Sequence, residues 1–323
     1  DRISPTRWGR GVGMNTGFAC SNWSRMLPAE SIDDACSEPI DQLRALAYRL
    51  TSIDSGAAEA VHSVLGSLTA PLELVVAGRA GVGRSSLARI LGRDDRFSRR
   101  VVGAPVVVTE SRAFDVPGTS NPDLGRRCVV YVVVDAVRDV DGRAIARVSD
   151  RVVVAANKAD LFGPRWDEAL GRAAEISENV GVPTVPVETL TGRGVEELFA
   201  ALGPVLEAQW WGRVEQIGPA LRRSASRSIA GRDEIELYLS SDSAVLFGAA
   251  AAMMSPEIRA LRQGEPPDPR TADDAGTCSR WWSELVNESE QCPQQRVSLI
   301  RRGYVRRWAQ LGGDRSAPAV TDE

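Results

Sequence analysis

Between residues 72 and 209 the chain alternates short apolar runs with longer amphipathic stretches, a rhythm few folds accommodate. LELVVAG (72–78), APVVVTE (104–110), SRAFDV (111–116), VVYVVVDAV (129–137), RVVVAAN (151–157) and TVPVE (184–188) read as strands. SSLARILG (85–92), DGRAIARVSD (141–150), RWDEALGRAAEISENVG (165–181) and VEELFAALGPVLEAQ (195–209) read as helices. The run 129–137 does not alternate, as expected of a central strand covered on both faces. Strand and helix in turn imply an α/β fold, a mostly parallel sheet with helices on both sides.

The flanks are helical. Residues 1–37 show no periodicity and are expected to form a flexible extension; 38–69 hold two short helices, with Leu43, Leu46, Ala47 and Leu50, then Ala60, Val61, Val64 and Leu65, at helical spacing. The sheet-forming segment is expected over 70–205 and a helical region over 206–264. A linker (265–276), C-terminal helices (277–312) and a disordered tail (313–323) follow. The apolar run 244–254 is too short to span a bilayer and reads as a buried helix. Near 295–311, Val297, Ile300, Tyr304, Trp308 and Leu311 share one helix face while Arg296, Arg301, Arg302, Arg306 and Arg307 decorate the others. That pattern suits a solvated arginine face over a core stripe, with contact to a membrane surface or an acidic partner as the alternative. Trp210-Trp211 and Trp281-Trp282 are expected to anchor helix packing.

Composition excludes several classes. A net charge of −4 argues against a broad nucleic-acid surface. Five scattered cysteines without a CxxC pair, and His62 as the single histidine, leave no disulfide framework and no zinc site. The N-terminal DRISPTRWGRGVGMNTGF lacks an apolar core followed by a cleavage site, so a cytoplasmic protein is expected. Lys158 is the one lysine; wherever else a cation is needed the chain uses arginine, so this lysine calls for a reason of its own.

Four short motifs fall at strand ends. Gly78, Arg79, Ala80, Gly81, Val82, Gly83, Arg84, Ser85 and Ser86 follow the first strand and open a helix, fitting GxxxxGK[ST] except that Arg84 stands at the lysine position. Such glycines let backbone N–H groups curl around phosphate oxygens, and Ser85 offers a hydroxyl to Mg²⁺. Asp115, Val116, Pro117 and Gly118 form a DxPG turn, whose carboxylate would hold Mg²⁺ and whose glycine amide would meet a γ-phosphate. Asn157, Lys158 and Asp160 form NKxD, where the aspartate accepts from the N1 and N2 donors of guanine and the lysine stem lies along the ring. Glu188, Thr189 and Leu190 lead into Thr191-Gly192-Arg193-Gly194 and would offer amides to the guanine carbonyl. Together the four point to the crevice at the strand C-termini.

On these residues the chain resembles the bacterial P-loop GTPases of the translation-factor (TRAFAC) class, Era-like or dynamin-like, over about residues 70–205. The resemblance implies a G domain that binds GTP or GDP with Mg²⁺. Gly78–Ser86 would be its phosphate loop, Asp115–Gly118 its switch, Asn157–Asp160 and Glu188–Leu190 its guanine-reading segments, and Ser85 with Asp115 its metal ligands. It also implies a slow hydrolase acting as a regulatory switch, with a protein partner at the helical C-terminal region. The departures are Arg84, a short segment ahead of Asp115 in which Thr109 lies too near to serve as switch threonine, and Thr119 where no glutamine orients water. They leave open a degenerate G domain used as a scaffold. An ATP-using P-loop enzyme is the third possibility, and Asp160 opposes it.

Overall fold

A computed structural model describes residues 32–93, 104–262, 264–267, 269–288 and 293–313. Most of the expected N-terminal extension (1–31) and of the expected tail (314–323) lies outside them. The helical start is α1 (Ile32–Thr51) and α2 (Ser55–Thr69), then β1 (Leu72–Gly78), α3 (Arg84–Arg93), β2 (Val106–Glu110), β3 (Cys128–Val133), α4 (Asp139–Ala146) and β4 (Val152–Asn157). A 3₁₀ turn (Ala159–Phe162), α5 (Trp166–Val180), β5 (Thr184–Val187) and the long α6 (Val195–Glu215) complete the α/β part. Beyond it come α7 (Ile217–Arg227), α8 (Arg232–Leu239), α9 (Asp242–Met253), α10 (Pro256–Leu261), α11 (Ala272–Glu288) and α12 (Gln294–Gln310).

The five strands are all parallel in the order β2-β1-β3-β4-β5, so the α/β class expected from the alternation holds. β3 and β4 are buried along their whole length, whereas β2, at the edge, is largely open. The period of two splits each central strand between two cores. Leu72, Leu74, Val76, Val130, Val132, Val153 and Ala155 face one cluster, with α1, α2, α3 and α6; Val75, Ala77, Tyr131, Val133, Val154 and Ala156 face the other, with α4 and α5. After β1 the chain crosses to β2 on one side, then returns to β3 on the other. The strand order thus reverses at the β1/β3 crevice, where such sheets bind ligands.

SRAFDV (111–116) is not a strand. Only an isolated bridge joins Arg79 and Phe114, and β2 has no further strand to pair with on its outer side. Its alternation reflects one inward aromatic: Phe114 is buried and meets Tyr131 edge-on at 5.5 Å. The strand expected over 129–137 stops at Val133, because Asp135 turns left-handed at φ 64°. α6 runs past the expected 209 to Glu215, since Trp210, Trp211 and Val214 still fall on its buried face. α12 buries Val297, Ile300 and Tyr304 as its stripe predicts, and its arginines are partly committed: Arg296 pairs with Glu215 and Glu257, and Arg306 with Asp242. No helix among the described residues is long and apolar enough to cross a membrane.

Candidate functional site

The glycine loop joins β1 to α3 at the crevice. Gly78 (φ 144°) packs so closely on β3 that a Cβ there would sit 2.5 Å from the Val132 carbonyl oxygen. Gly83 (φ 92°) packs against β4, where a Cβ would collide with the side-chain amide nitrogen of Asn157. A side chain at either position would drive the loop off β3 or β4. The Gly83 carbonyl accepts the first helical bond, from Leu87 N at 3.1 Å, so the loop ends on the N-terminus of α3.

β4 delivers the NKxD segment to the same place. Asn157, its last residue, is fully buried and donates through Nδ2 to the Val82 carbonyl at 2.8 Å; its Oδ1 has no hydrogen-bond partner. Lys158 adopts φ 57°, a conformation costing a non-glycine residue roughly 1–2 kcal/mol. That turn sends its ammonium back across the loop to donate to Gly81 O at 3.0 Å. The lone lysine thereby has its reason: it holds the loop from outside while Asn157 holds it from beneath. Asp160 follows, exposed on the 3₁₀ turn.

The fourth segment forms a tight turn after β5. Glu188 N donates to Arg193 O and Gly192 N to Glu188 O, both at 2.9 Å, and Leu190 projects into solvent. Gly194 permits the close approach to the Pro186 carbonyl from which α6 starts, and the Arg193 guanidinium stacks 4.2 Å from the Trp166 ring centroid.

The structure answers a question the sequence left open at Arg84. Its guanidinium is nearly buried and donates to Ser111 O at 2.5 Å, with Glu110 Oε1 at 3.6 Å. The Ser85 hydroxyl donates to that same Glu110 oxygen at 2.9 Å. The carboxylate touching Ser85 therefore belongs to Glu110, at the end of β2, a residue that sequence reasoning passed over as the tail of a strand. An acid closing the strand paired with β1 beside the glycine loop was the available signal. Asp115 is exposed at φ 59°, its N–H donating to Asn121 Oδ1 at 2.9 Å, and Thr119 N caps the DxPG turn on Val116 O. Among the described residues no group of three metal-ligating side chains occurs. Ser85 Oγ with one carboxylate is nevertheless the donor set Mg²⁺ takes when phosphate oxygens complete its shell.

A second residue escaped the sequence reading. Asp141, fully buried on α4, accepts from Arg79 Nε at 2.9 Å, from the Tyr131 hydroxyl at 2.9 Å and from Arg138 N at 3.0 Å. It pins the second residue of the loop. Burial, and then the Asp141 charge, push the Tyr131 phenol well above its ordinary value of 10.0, so it stays a donor. Among the described residues the left-handed non-glycine positions, Asp115, Asp135 and Lys158, follow β2, β3 and β4 at this one edge of the sheet. Among the described residues His62 bonds only to Ala58 O, one turn back on α2.

No protein-family model matches the chain. Over 168 residues it is 28% identical to GTPase Der of Azorhizobium caulinodans, covering 41% of this chain and 37% of that protein. It therefore spans little over a third of the relative's length. Solved structures that overlay include the G domain of the T. maritima FeoB iron transporter, at 17% identity, 42% of this chain, 98% of that one and a TM-score of 0.30. The cytosolic domain of the same transporter in its GMPPNP form overlays at 16% identity, with 74% and 98% coverage and a TM-score of 0.32. A LAO/AO transport system kinase does so at 14%, with 85% and 96% coverage and a TM-score of 0.29. Scores below 0.5 do not by themselves mark a shared fold. The sequence match makes the chain a distant relative of the P-loop GTPases.

Proposed function

We propose that the chain binds guanine nucleotide at the β1/β3 crevice and hydrolyses GTP slowly, as a switch that acts on a protein partner through its helical region. One observation carries this reading: Asn157 and Lys158 are hydrogen-bonded to Val82 and Gly81, so the segment bearing Asp160 is keyed to the glycine loop. Base and phosphate would then be read by one connected unit. The amides of 78–86 would hold the phosphates, Gly118 would meet the γ-phosphate, and Asp160 with 188–190 would select guanine. Ser85, beside Glu110 or Asp115, would hold Mg²⁺, which when bound neutralises charge growing on the phosphate oxygens. What the chain itself contributes is orientation and fixed donors.

The test is titration of fluorescent GDP and GTP analogues, with and without Mg²⁺, against the native chain and its Asp160→Asn and Arg84→Lys variants. Binding in the micromolar range or tighter that Asp160→Asn removes is expected. Tight binding that ignores Asp160, or that prefers adenine nucleotides, would sink the guanine reading. One observation favours a second reading, a G domain serving as a binding module: Arg84 and Ser85, the side chains that should meet phosphate and metal, are both engaged by Glu110. No binding by the native chain, with recovery in Arg84→Lys, would decide for it.

A further inference from the structure

A cleft of about 1060 Å³ opens in the helical region, at the upper end of small-molecule pockets, which run to roughly 300–1,000 Å³. It lies between the end of α6 and the starts of α7, α9 and α12. α6 begins at the turn after β5 and reaches the cleft at Val214 and Glu215; at 1.5 Å per residue, that is about 30 Å along the helix. The cleft is thus separate from the crevice that reads the base.

Part of its wall is apolar, with Ile217, Pro219, Leu239, Val245, Phe247 and Leu299. Its charges are unbalanced. Arg222, Arg296 and Arg302 line it against a single acid, Glu215, in a chain whose net charge is −4. Glu215 is already bridged by Arg296, which reaches on to Glu257. Arg222 and Arg302 have no ion pair or hydrogen bond among the described residues. The Arg222 guanidinium lies over Gly218 at ordinary contact distance: a Cβ there would be 3.7 Å from Nη1. α7 and α12 begin at the rim without a side-chain cap while α6 and α8 end there, so the helix partial charges oppose one another and the arginines set the sign.

We propose that this cleft binds an amphipathic anion, an alkyl or similar apolar body carrying one carboxylate or phosphate head, with Arg222 and Arg302 on the head and the 239–248 wall on the tail. The charge asymmetry selects an anion; the apolar part of the wall selects against a bare one. The reading does not depend on guanine binding.

Isothermal titration of the full chain with laurate, dodecyl phosphate, dodecyltrimethylammonium and inorganic phosphate, below micellar concentrations, tests it. Laurate or dodecyl phosphate should bind in the micromolar range, and the tighter of the two names the head group. The cationic amphiphile and inorganic phosphate should bind at least about tenfold more weakly. Arg222→Gln with Arg302→Gln, both at exposed positions, should cost about tenfold or more. Gly248→Leu, where a Cβ meets open space on α9, should fill the cleft and block the tail while leaving the melting curve of the protein intact. Equal binding of both amphiphile charges, no binding of any probe, or indifference to both variants would overturn the proposal. So would concentration-dependent self-association that excludes laurate, which would make a second copy the occupant.

Discussion

Without the carboxylate of Asp141, the Arg79 guanidinium, the Tyr131 hydroxyl and the Arg138 N–H would be left without their common acceptor in a nearly dry site. Breaking a buried charge pair from one side costs about 3–5 kcal/mol, against about 1 kcal/mol net for an ordinary hydrogen bond. Asp141→Ala should therefore lower urea stability by about 3 kcal/mol, and Asp141→Asn by less, because an amide still accepts from two of the donors. The same loss should raise the Kd for GDP, since Arg79 is part of the loop. Glu110 makes a subtler prediction. Its charge repels phosphate unless a cation lies between them, so in Glu110→Gln the ratio of GDP affinities with and without Mg²⁺ should shrink by about five- to tenfold. An unchanged ratio would show that the Ser85–Glu110 contact has no bearing on the metal. Cys128, buried at the foot of β3, has its thiol pushed up to about 12 by that burial. It should resist thiol reagents at pH 8 until the chain unfolds, which mass mapping of labelled peptides would read.

Elements were legible in the sequence wherever a single period governed them. The fully buried β3 and β4, and the stripe of α12, needed no tertiary information. β2 was legible as a strand, yet Glu110 at its end was not legible as a site residue, because only the crossing order of the strands puts it beside Ser85. Phe114 misled in the opposite sense: one aromatic that packs on Tyr131 gave an edge loop the look of a strand. α6, expected to end at 209, is carried on to Glu215 by its buried tryptophans. Caps that depend on distant partners were invisible. Asp54 caps α2 through Ala57 N at 3.0 Å and also accepts from the Ser228 hydroxyl at 2.5 Å, a residue on the far side of the sheet-forming segment. The Ser228 bond first, then the Ala57 N–H, hold the Asp54 carboxyl below its ordinary 3.8. A lowered folded pKa contributes stability that is present above the unfolded value and lost as pH falls through the folded one. Ser228→Ala should thus raise the Asp54 pKa toward 3.8, and its stability deficit at pH 7 should narrow on acidification below that value. An NMR titration of the Asp54 carboxyl with urea melts at pH 7 and pH 3 would show both; a deficit that stays constant would mean that Ser228 acts through Gly231 N alone.

At the scale of the whole molecule, the question is whether the helices ride on the sheet or share its core. One continuous cluster runs from Leu43 on α1 through Leu74, Val130 and Leu202 to Trp210, Trp211 and Phe247. A second gathers Trp282 of α11 with Val297, Ile300 and Tyr304 of α12. α9 stands between them and serves both: Leu246, Phe247, Ala250 and Ala251 face the first, Ala249, Ala252 and Met253 the second. That is why the run 244–254 is apolar all round and shows no face of its own. A wall shared in this way couples the two clusters, because neither can lose α9 without exposing the other. Urea unfolding should then be one transition. With Trp8, Trp23, Trp166 and Trp308 changed to Phe throughout, two variants separate the probes, one with Trp281 and Trp282 also changed and the other with Trp210 and Trp211, so that fluorescence reports from each cluster in turn. Both curves should share their midpoint with far-UV circular dichroism. Ala252→Glu, which places a charge on the second face of α9, should lower both midpoints together even though it touches only one cluster. If it lowered the Trp282 midpoint alone, the α11–α12 hairpin would be an appendage that opens independently. Anything the cleft beside α9 binds would then have no route to the sheet.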